Sequence, residues 1–177
     1  MLLTTALSLP LQTAWLIPLY GFAGMLVSLP WAFGWFRRDA HRPPAYLNIL
    51  LTLLAVVHGS LVLRDVMANG PALIGMPWLS VGDLNLEISF SLSLTNVSAL
   101  ELITGLSLLS QIYSLGYLDK EWALARFFAL LGFFEGAMSG VVLSDSLFQS
   151  YFLLEMLTLS TYCLLYTSPS PRDPIGS

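Results

Sequence analysis

The chain has few charged residues. Only 10% of its 177 residues are Asp, Glu, Lys or Arg, whereas a soluble domain has about 25%. The net charge is -4, and the 7 basic residues form no cluster of the kind that binds nucleic acid. The charge pattern therefore excludes a nucleic-acid-binding protein. A hydrophobic content of 56% and a mean hydropathy of +0.74 instead predict an integral membrane protein, with the lipid bilayer as its surroundings.

Cysteine and histidine are also scarce. Cys163 is the only cysteine, so an intrachain disulfide and a cysteine-based metal site are excluded. The two histidines, His41 and His58, lie in different segments without the spacing of metal ligands, and we interpret them as loop or helix-packing residues. Dinucleotide-binding, P-loop and catalytic-triad motifs are absent as well. We therefore expect no cofactor in this chain and assign any redox chemistry to its partners.

Five apolar segments have the length and composition of membrane-spanning helices. The first contains no charged side chain and is followed at once by Arg37, Arg38 and Arg42. A basic loop stays on the cytoplasmic side, so the N-terminus is expected on the opposite side. The sequence thus predicts an all-α membrane protein with about five transmembrane helices. The predicted helices cover residues 11–36, 45–63, 95–117, 122–143 and 146–162.

Residues 76–94, between the second and third predicted helices, follow a different pattern. Apolar residues from Leu84 to Leu94 alternate strictly with polar ones, and this period of two predicts a strand with one buried face. Residues 76–81 are its expected partner across a Gly-Asp turn, which gives a short β-hairpin. Because a hairpin cannot expose its edges to lipid, we expect it on the non-cytoplasmic surface, over the helix ends. The alternative is a third helix that begins early.

The end of the chain differs in composition from the rest. Residues 167–177, TSPSPRDPIGS, are rich in proline and serine and lack an apolar period, which is typical of a disordered segment. The stretch CLLYTSPSPRD also resembles a translated sequencing adaptor. We therefore expect residues 1–162 to form the transmembrane region and residues 163–177 to be a non-native or disordered tail. On this interpretation the fifth helix is cut short and the chain is a fragment, and the alternative is a genuine polar tail.

Two glutamates lie inside the predicted helices. Glu135 and Glu155 are each ten residues from Asp145, which joins the fourth helix to the fifth. At a rise of about 1.5 Å per residue, both lie about 15 Å deep, near the middle of a hydrocarbon core about 30 Å thick. A carboxyl group at this depth costs a few kcal/mol and usually has a function or a specific partner. The pair therefore indicates a proton or ion relay.

Glu155 belongs to a polar stripe on one face of the fifth helix, together with Tyr151, Thr158 and Tyr162. A similar stripe on the third helix combines Gln111 with several serines. Such stripes avoid lipid and face a bundle interior or a wet cavity. We interpret Glu155 as the proton-relay residue and Gln111, Thr158 and Tyr162 as a candidate polar path. For the serines we favour hydrogen-bonded contact between helices.

Three glycines, Gly132, Gly136 and Gly140, recur every four residues on the fourth helix. A face of small residues lets a neighbouring backbone approach closely, so we interpret it as a packing surface. Glu135 adjoins this face and is therefore expected to point toward a protein neighbour rather than toward lipid. It is a candidate second station for the relay.

Four segments of the chain are familiar from a known family. They are LLSQIYSLGYLDKEWALARFF, GFFEGAMSGVVLSDSLF, YFLLEMLTLSTY and RPPAYLNILLTLLAVVHGSL. The first three resemble subunit 5 of complex I, the antiporter-like membrane subunit, in its cyanobacterial type-I NAD(P)H dehydrogenase form. The fourth resembles the version found in carbon dioxide uptake complexes. The resemblance covers nearly all of residues 1–162 and implies the N-terminal part of a larger antiporter-like fold, which continues into two inverted five-helix repeats.

The resemblance implies proton translocation driven by NAD(P)H- or ferredoxin-dependent quinone reduction elsewhere in a complex. Quinone, flavin and iron–sulfur clusters are then expected in partner subunits, and the other membrane subunits of a complex I-like assembly are expected partners, in a cyanobacterial thylakoid membrane. Glu155 stands at the position of the family's relay glutamate. Gln111 stands where many relatives have a histidine. The family's partner lysine lies in a later helix, which this sequence lacks.

The mechanism that the resemblance implies is electrostatic. Burial disfavours an ionised carboxylate and a nearby cation favours it, so moving a lysine toward or away from Glu155 would load or release a proton. Two alternatives stay open. One is a subunit of a multisubunit cation/proton antiporter without a redox partner, and the other is a membrane scaffold whose glutamates only make hydrogen-bonded contacts.

Overall fold

The structure is a computed structural model, and it describes residues 8–33, 35, 42–81, 84–117 and 124–167. Within these residues the chain forms six helices and one two-stranded sheet, so the mainly helical fold predicted from the sequence is confirmed. The helices are α1 (Leu9–Gln12), α2 (Leu16–Ala32), α3 (Arg42–Asn69), α4 (Leu94–Tyr117), α5 (Leu124–Leu143) and α6 (Leu147–Thr167). The strands are β1 (Ala72–Val81) and β2 (Leu84–Leu92).

The first predicted helix, residues 11–36, is wrong in its bounds. The helix is interrupted between α1 and α2, and α2 ends at Ala32. Pro18 explains the break, because it has no N–H to donate to the carbonyl of Ala14. Ile17 donates to that carbonyl instead, over 3.1 Å, which is the tighter geometry of a turn. A single long span is therefore replaced by a short turn of helix and a 17-residue helix.

α3 is longer at both ends than the second predicted helix, residues 45–63. The charged pair Arg64 and Asp65, which was expected to follow the helix, lies within it. The helix ends before Gly70, whose φ of +91° is a left-handed conformation that glycine adopts easily. The Gly70 N–H donates to the carbonyl of Val66 over 2.9 Å, as in a helix C-cap.

The two faces of α3 differ in side-chain size. The buried face carries mainly small and polar residues, namely Ala45, Asn48, Thr52, Ala55, Gly59, Val62 and Val66. The exposed face carries large apolar residues, which include Leu47, Leu50, Leu53, Leu54 and Leu61. Small residues allow close helix packing while lipid covers the large ones, so this arrangement is typical of a membrane helix. α3 and α5 are long and apolar enough to cross a membrane, and the count of about five spans stays a prediction.

β1 and β2 form an antiparallel hairpin between α3 and α4. Ala72 lies opposite Leu92, so β1 begins before residue 76, where the strand was expected to start. The register shifts between Pro77 and Leu79, which is where proline interrupts the ladder.

The hairpin lies over the turn between α5 and α6. The Asp145 N–H donates to the Ser89 carbonyl over 3.1 Å, and the Ser89 N–H donates to Gln149 Oε1 over 3.0 Å. Phe90 also forms a bridge with Ser144. These bonds satisfy backbone groups on the edge of β2 that faces away from β1, so the hairpin is fixed to one end of the helix bundle. We call this the hairpin end.

α2 and α5 approach each other at glycine. A Cβ added to Gly21 would lie 2.4 Å from the Gly136 nitrogen, and one added to Gly132 would lie 3.0 Å from the Gly21 carbonyl oxygen. On the same helix, a Cβ at Gly140 would lie 2.9 Å from a methyl carbon of Leu153 in α6. The glycine face of α5 therefore packs against backbone and side chains of two neighbours, as expected for such a face.

α6 continues to Thr167, beyond the end expected at residue 162. Residues 168–177 lie outside the described residues, and the non-native origin of residues 163–177 stays a prediction. Other predictions also fall on residues outside the description, namely the membrane topology set by Arg37 and Arg38, the role of His41, the hairpin turn at residues 82 and 83, and a helix start at residue 122.

Candidate functional site

Glu135 is the most enclosed acidic group among the described residues. It lies in the middle of α5 and is 1% exposed. Its Oε2 accepts three hydrogen bonds, from Thr52 Oγ1 at 2.7 Å, Ser107 Oγ at 2.8 Å and Gln111 Nε2 at 3.0 Å. α3 supplies the threonine and α4 supplies the serine and the glutamine. A carboxyl group is thus held at the junction of three helices by donors that carry no charge.

Gln111 connects the donors to one another. Its Nε2 lies 2.7 Å from Thr52 Oγ1 and 3.4 Å from Ser107 Oγ, in addition to its bond with Glu135. The side chain is fully buried. We call these four side chains, Glu135, Thr52, Ser107 and Gln111, the Glu135 network. Each of the four side chains is held in place by hydrogen bonds to at least two of the others.

The spacing of polar residues along α4 brings two of these donors together. Ser107 and Gln111 are four residues apart and therefore share a helix face. Ser114 is buried on the same face, whereas Ser110 points outward and is exposed. The serines expected to form one stripe on this helix therefore differ in burial, and a contact of Ser110 with another helix stays a prediction.

Thr52 was missed by the sequence reasoning. It is a polar residue in a strongly apolar helix, and Asn48 stands one turn before it. Both are 1% exposed. Two polar side chains at a spacing of four would have indicated one inward face of α3. Asn48 lies next to the Glu135 network, where its Nδ2 donates to the Phe128 carbonyl over 2.8 Å.

Several buried side-chain oxygen atoms, one of them in Glu135 and one in Gln111, have no hydrogen-bond partner among the described residues. They are Glu135 Oε1, Gln111 Oε1, Asn48 Oδ1, Glu101 Oε2 and Ser139 Oγ. An unsatisfied buried acceptor costs about 1–3 kcal/mol, and such groups mark sites of chemistry or of bound water. In Glu135 the two oxygens thus differ. Oε2 is engaged by three donors, and Oε1 is available to carry a proton.

The structure does not bring Glu155 into this network. Glu155 shares one face of α6 with Tyr151, Thr158 and Tyr162, and this face is exposed. We call these four residues the Glu155 face. Thr158 Oγ1 donates to the backbone carbonyl of Glu155 over 2.8 Å, which leaves the carboxyl group itself uninvolved. The candidate polar path is therefore divided, since Gln111 lies with Glu135 while Thr158 and Tyr162 lie with Glu155.

The Glu135 network combines one carboxyl group with two hydroxyl groups and one amide. Within the described part of the chain, no group of three or more His, Cys, Asp or Glu residues is placed to hold a metal ion. Hydroxyl and carboxyl groups can pass on a proton, whereas the Gln111 amide donates and accepts hydrogen bonds. His58 lies elsewhere, 3.0 Å from Thr13 Oγ1 and 3.5 Å from the Tyr20 hydroxyl, as expected for a helix-packing histidine.

The chain is similar over most of its length to known proteins. Residues 78–128 match the family described as NADH-ubiquinone oxidoreductase (complex I), chain 5 N-terminus. The chain is 70% identical over 167 residues to NAD(P)H-quinone oxidoreductase subunit 5, organellar chromatophore 2, of Paulinella chromatophora. The predicted resemblance to subunit 5 of complex I is confirmed. That alignment covers 93% of this chain and 27% of the relative.

Other subunit 5 proteins are more distant. The chloroplastic subunit 5 of Chlorokybus atmophyticus is 28% identical, over 90% of this chain and 25% of its own length. The chromatophore 1 form from Paulinella chromatophora is also 28% identical, over 87% of this chain and 24% of its own length. The chain thus spans about a quarter of the length of these curated relatives. It is far more similar to one of the two chromatophore forms than to the other.

Proposed function

We propose that this chain forms part of a membrane subunit of a proton-translocating NAD(P)H- or ferredoxin:quinone oxidoreductase. In this proposal Glu135 and Glu155 are protonatable groups of its proton path. The similarity to subunit 5 proteins supports the place of the chain in a complex I-like assembly. Quinone, flavin and iron–sulfur clusters then belong to partner subunits, and this chain contributes to proton transfer without a redox centre of its own.

One observation carries the proposal, namely the hydrogen bonding of Glu135. Its Oε2 accepts from Thr52, Ser107 and Gln111, which stabilise an ionised carboxylate. Its Oε1 has no partner among the described residues and can hold the proton of the neutral acid. Both protonation states are therefore compatible with the same surroundings. A purely structural contact would not need a carboxyl group, since an amide would satisfy the same donors without the cost of a charge in the membrane.

Glu155 is proposed to act with groups outside this chain. A carboxyl group exposed to lipid in the middle of a helix costs about 2.5–3.5 kcal/mol on insertion scales. The Glu155 face also carries the polar side chains Thr158 and Tyr162. We infer that protein, not lipid, covers this face in the assembly and supplies a cation, such as the lysine that the resemblance implies, near Glu155.

The difference between the two chromatophore proteins supports a specialised form of the subunit. At 70% and 28% identity to this chain, the two proteins have diverged from each other. The resemblance of RPPAYLNILLTLLAVVHGSL to the carbon dioxide uptake version points to that role. We therefore propose a thylakoid-type membrane as the location, with the N-terminus on the lumenal side and carbon dioxide uptake as the process served.

The proposal is tested in the complete subunit within its assembled complex. We would tag the subunit, identify the proteins that co-purify, and measure quinone reduction and proton uptake in proteoliposomes. Glu135→Gln should lower the number of protons transported per quinone reduced, because the amide cannot exchange a proton. Glu87→Gln, which changes an exposed glutamate of the hairpin, is the matched control and should leave transport unchanged.

Three results would contradict this assignment. Cation-driven proton exchange in a complex without quinone-reductase subunits would identify a multisubunit antiporter. Unaltered transport in Glu135→Gln would leave the Glu135 network as a structural contact only. Unaltered transport in Glu155→Gln would remove Glu155 from the path.

A further inference from the structure

A second carboxyl group, that of the half-buried Glu101, lies between α4 and α3, closer to the hairpin end. Glu101 precedes Ser107 by six residues, a rise of about 9 Å. Its Oε1 accepts a hydrogen bond from Ser60 Oγ of α3 at 2.7 Å, and its Oε2 is buried without a partner among the described residues. A Cβ at Gly59 would lie 2.6 Å from that Oε2. Glycine at this position therefore leaves room for the carboxyl group against the α3 backbone.

Along the axes of α4 and α5, two hydroxyl groups lie between Glu101 and the Glu135 network. β2 leads directly into α4, and Ser144 at the end of α5 bridges to β2, so α4 and α5 run antiparallel at the hairpin end. Thr104 is three residues before Ser107, and Ser139 is four residues after Glu135. Each is thus displaced about 5 Å from the Ser107–Glu135 contact toward the hairpin. Both are essentially fully buried.

Ser139 has an unusual hydrogen-bonding state. A serine or threonine inside a helix commonly donates to the carbonyl of the preceding turn. Thr104 does so, with Oγ1 3.0 Å from the Leu100 carbonyl oxygen. Ser139 Oγ is buried and has no partner among the described residues. It is therefore available to both donate and accept, one turn along the same helix face from the unpartnered Glu135 Oε1.

From these positions we propose that Glu135, Ser139, Thr104 and Glu101 form a proton path between the Glu135 network and the hairpin end, with Glu101 as its outer carboxyl group. The rise of about 9 Å between Ser107 and Glu101 exceeds one hydrogen bond, so intermediate groups are needed. The two hydroxyls supply them, together with the ordered water that buried unpaired oxygens bind. The proposal rests on the proposed function of Glu135 as a proton carrier.

The transfer conserves protons at every step. Glu135 releases the proton of its Oε1–H bond to the first acceptor of the path and becomes a carboxylate. Each hydroxyl or water accepts one proton and donates one. Glu101 Oε2 receives the last proton, and the carboxylate becomes a neutral acid. Transport in the opposite direction reverses the same steps, and neither direction needs an oxidant or a reductant.

Substitutions in the complete subunit of the assembled complex test the path. Glu101→Gln keeps an acceptor for Ser60 but cannot exchange a proton, so proton transport per quinone reduced should fall strongly. Thr104→Val and Ser139→Ala remove one hydroxyl each and should slow transport about fivefold, the rate equivalent of one lost hydrogen bond. Ser110→Ala changes an exposed serine of α4 and is the matched control, with transport expected to be unchanged.

A spectroscopic readout separates transport from structure. In time-resolved infrared spectra after a pH jump, the Glu135 carboxyl band should respond more slowly in Ser139→Ala than in the unmodified protein. An unchanged response would overturn the path. Glu101→Asp retains a carboxyl group and should transport protons faster than Glu101→Gln, and equal transport in these two variants would also overturn it.

The two proposals can fail separately. If Glu135→Gln abolishes transport while Glu101→Gln leaves it intact, the path through Ser139 and Thr104 is wrong and the proposed function stands. If Glu135→Gln has no effect, the proposed role of Glu135 fails, and the path fails with it.

Discussion

Glu135 and Glu155 are equally far from Asp145 in the sequence, yet their surroundings are opposite. Glu135 is 1% exposed and accepts hydrogen bonds from two other helices. Glu155 is exposed on α6, and the Thr158 hydroxyl one turn later donates to its backbone carbonyl rather than to its carboxyl group. The first site is built within this chain, whereas the second needs neighbours to become a site. Equal distance from Asp145 therefore does not make the two carboxyl groups equivalent, because the helix face decides which groups each one contacts.

The largest difference between the sites should appear in Glu155→Gln. We expect proton transport by the complete subunit in its complex to fall to background, because the amide cannot carry a proton between the groups that cover the Glu155 face. The thermal stability of the 177-residue chain on its own should not change, since the side chain is exposed in it. Proteoliposome transport and thermal unfolding in detergent measure the two effects. Normal transport, or a clear loss of stability, would contradict the assignment.

Replacing each glutamate with leucine should separate the sites by stability. In Glu135→Leu the Thr52, Ser107 and Gln111 donors lose their shared acceptor, which should cost about 1–3 kcal/mol or more of unfolding free energy. Glu135→Gln keeps an acceptor oxygen and should cost less. In the 177-residue chain on its own, where Glu155 is exposed, Glu155→Leu is the matched control and should have little effect. Equal destabilisation by the two leucine variants, measured by denaturant unfolding in mixed micelles, would mean that the sites do not differ in this way.

The glycine contact between α2 and α5 should sharpen the comparison, because it holds the helix that carries Glu135. A methyl group at Gly21 would meet the α5 backbone, so Gly21→Ala should destabilise the bundle by about 1–3 kcal/mol. Gly116→Ala has no atom within 4 Å of the added carbon and serves as control. Thermal unfolding of both variants measures the effect. A tolerated Gly21→Ala would show that α2 can move away from α5 at little cost.

The smallest expected difference is between the two threonines beside the glutamates. Thr52→Val removes one of three donors to Glu135 and should cost about 1 kcal/mol. Thr158→Val removes a bond within an exposed helix and should stay within about 0.5 kcal/mol. Denaturant unfolding of the two variants, with identical changes in side-chain shape, tests this directly. A larger loss of unfolding free energy in Thr158→Val than in Thr52→Val would contradict this prediction.

The sequence pattern predicts which face of a helix is buried better than it predicts which helix packs against that face. The spacing of Ser107 and Gln111 identifies one face of α4, and the glycines beside Glu135 indicate a protein neighbour. Neither pattern says which helix that neighbour is, because any antiparallel helix with a small polar face could fill the place. The network therefore required the tertiary arrangement that brings Thr52 of α3 to Glu135.

Helix ends were predicted less well than helices, for two physical reasons. The sequence predicts that the second helix ends at Arg64 and Asp65. Charged residues can lie inside the last turns of a helix when their charged groups reach polar surroundings, and the Ser8 hydroxyl donates a hydrogen bond to Asp65 there. In the first helix, Pro18 was expected only to kink the chain. Because Pro18 has no N–H, the Ala14 carbonyl accepts its hydrogen bond from the Ile17 N–H instead. The resulting turn separates α1 from α2.

The proton affinity of Glu135 inside the membrane is the property on which the proposed function depends most. An infrared pH titration of the assembled complex, compared between the unmodified subunit and Glu135→Gln, measures it most directly. We predict a carboxyl band that changes with pH in the unmodified complex and is lost in Glu135→Gln. Identical pH-dependent carboxyl spectra in the two proteins would contradict the role of Glu135 as a proton-exchanging group.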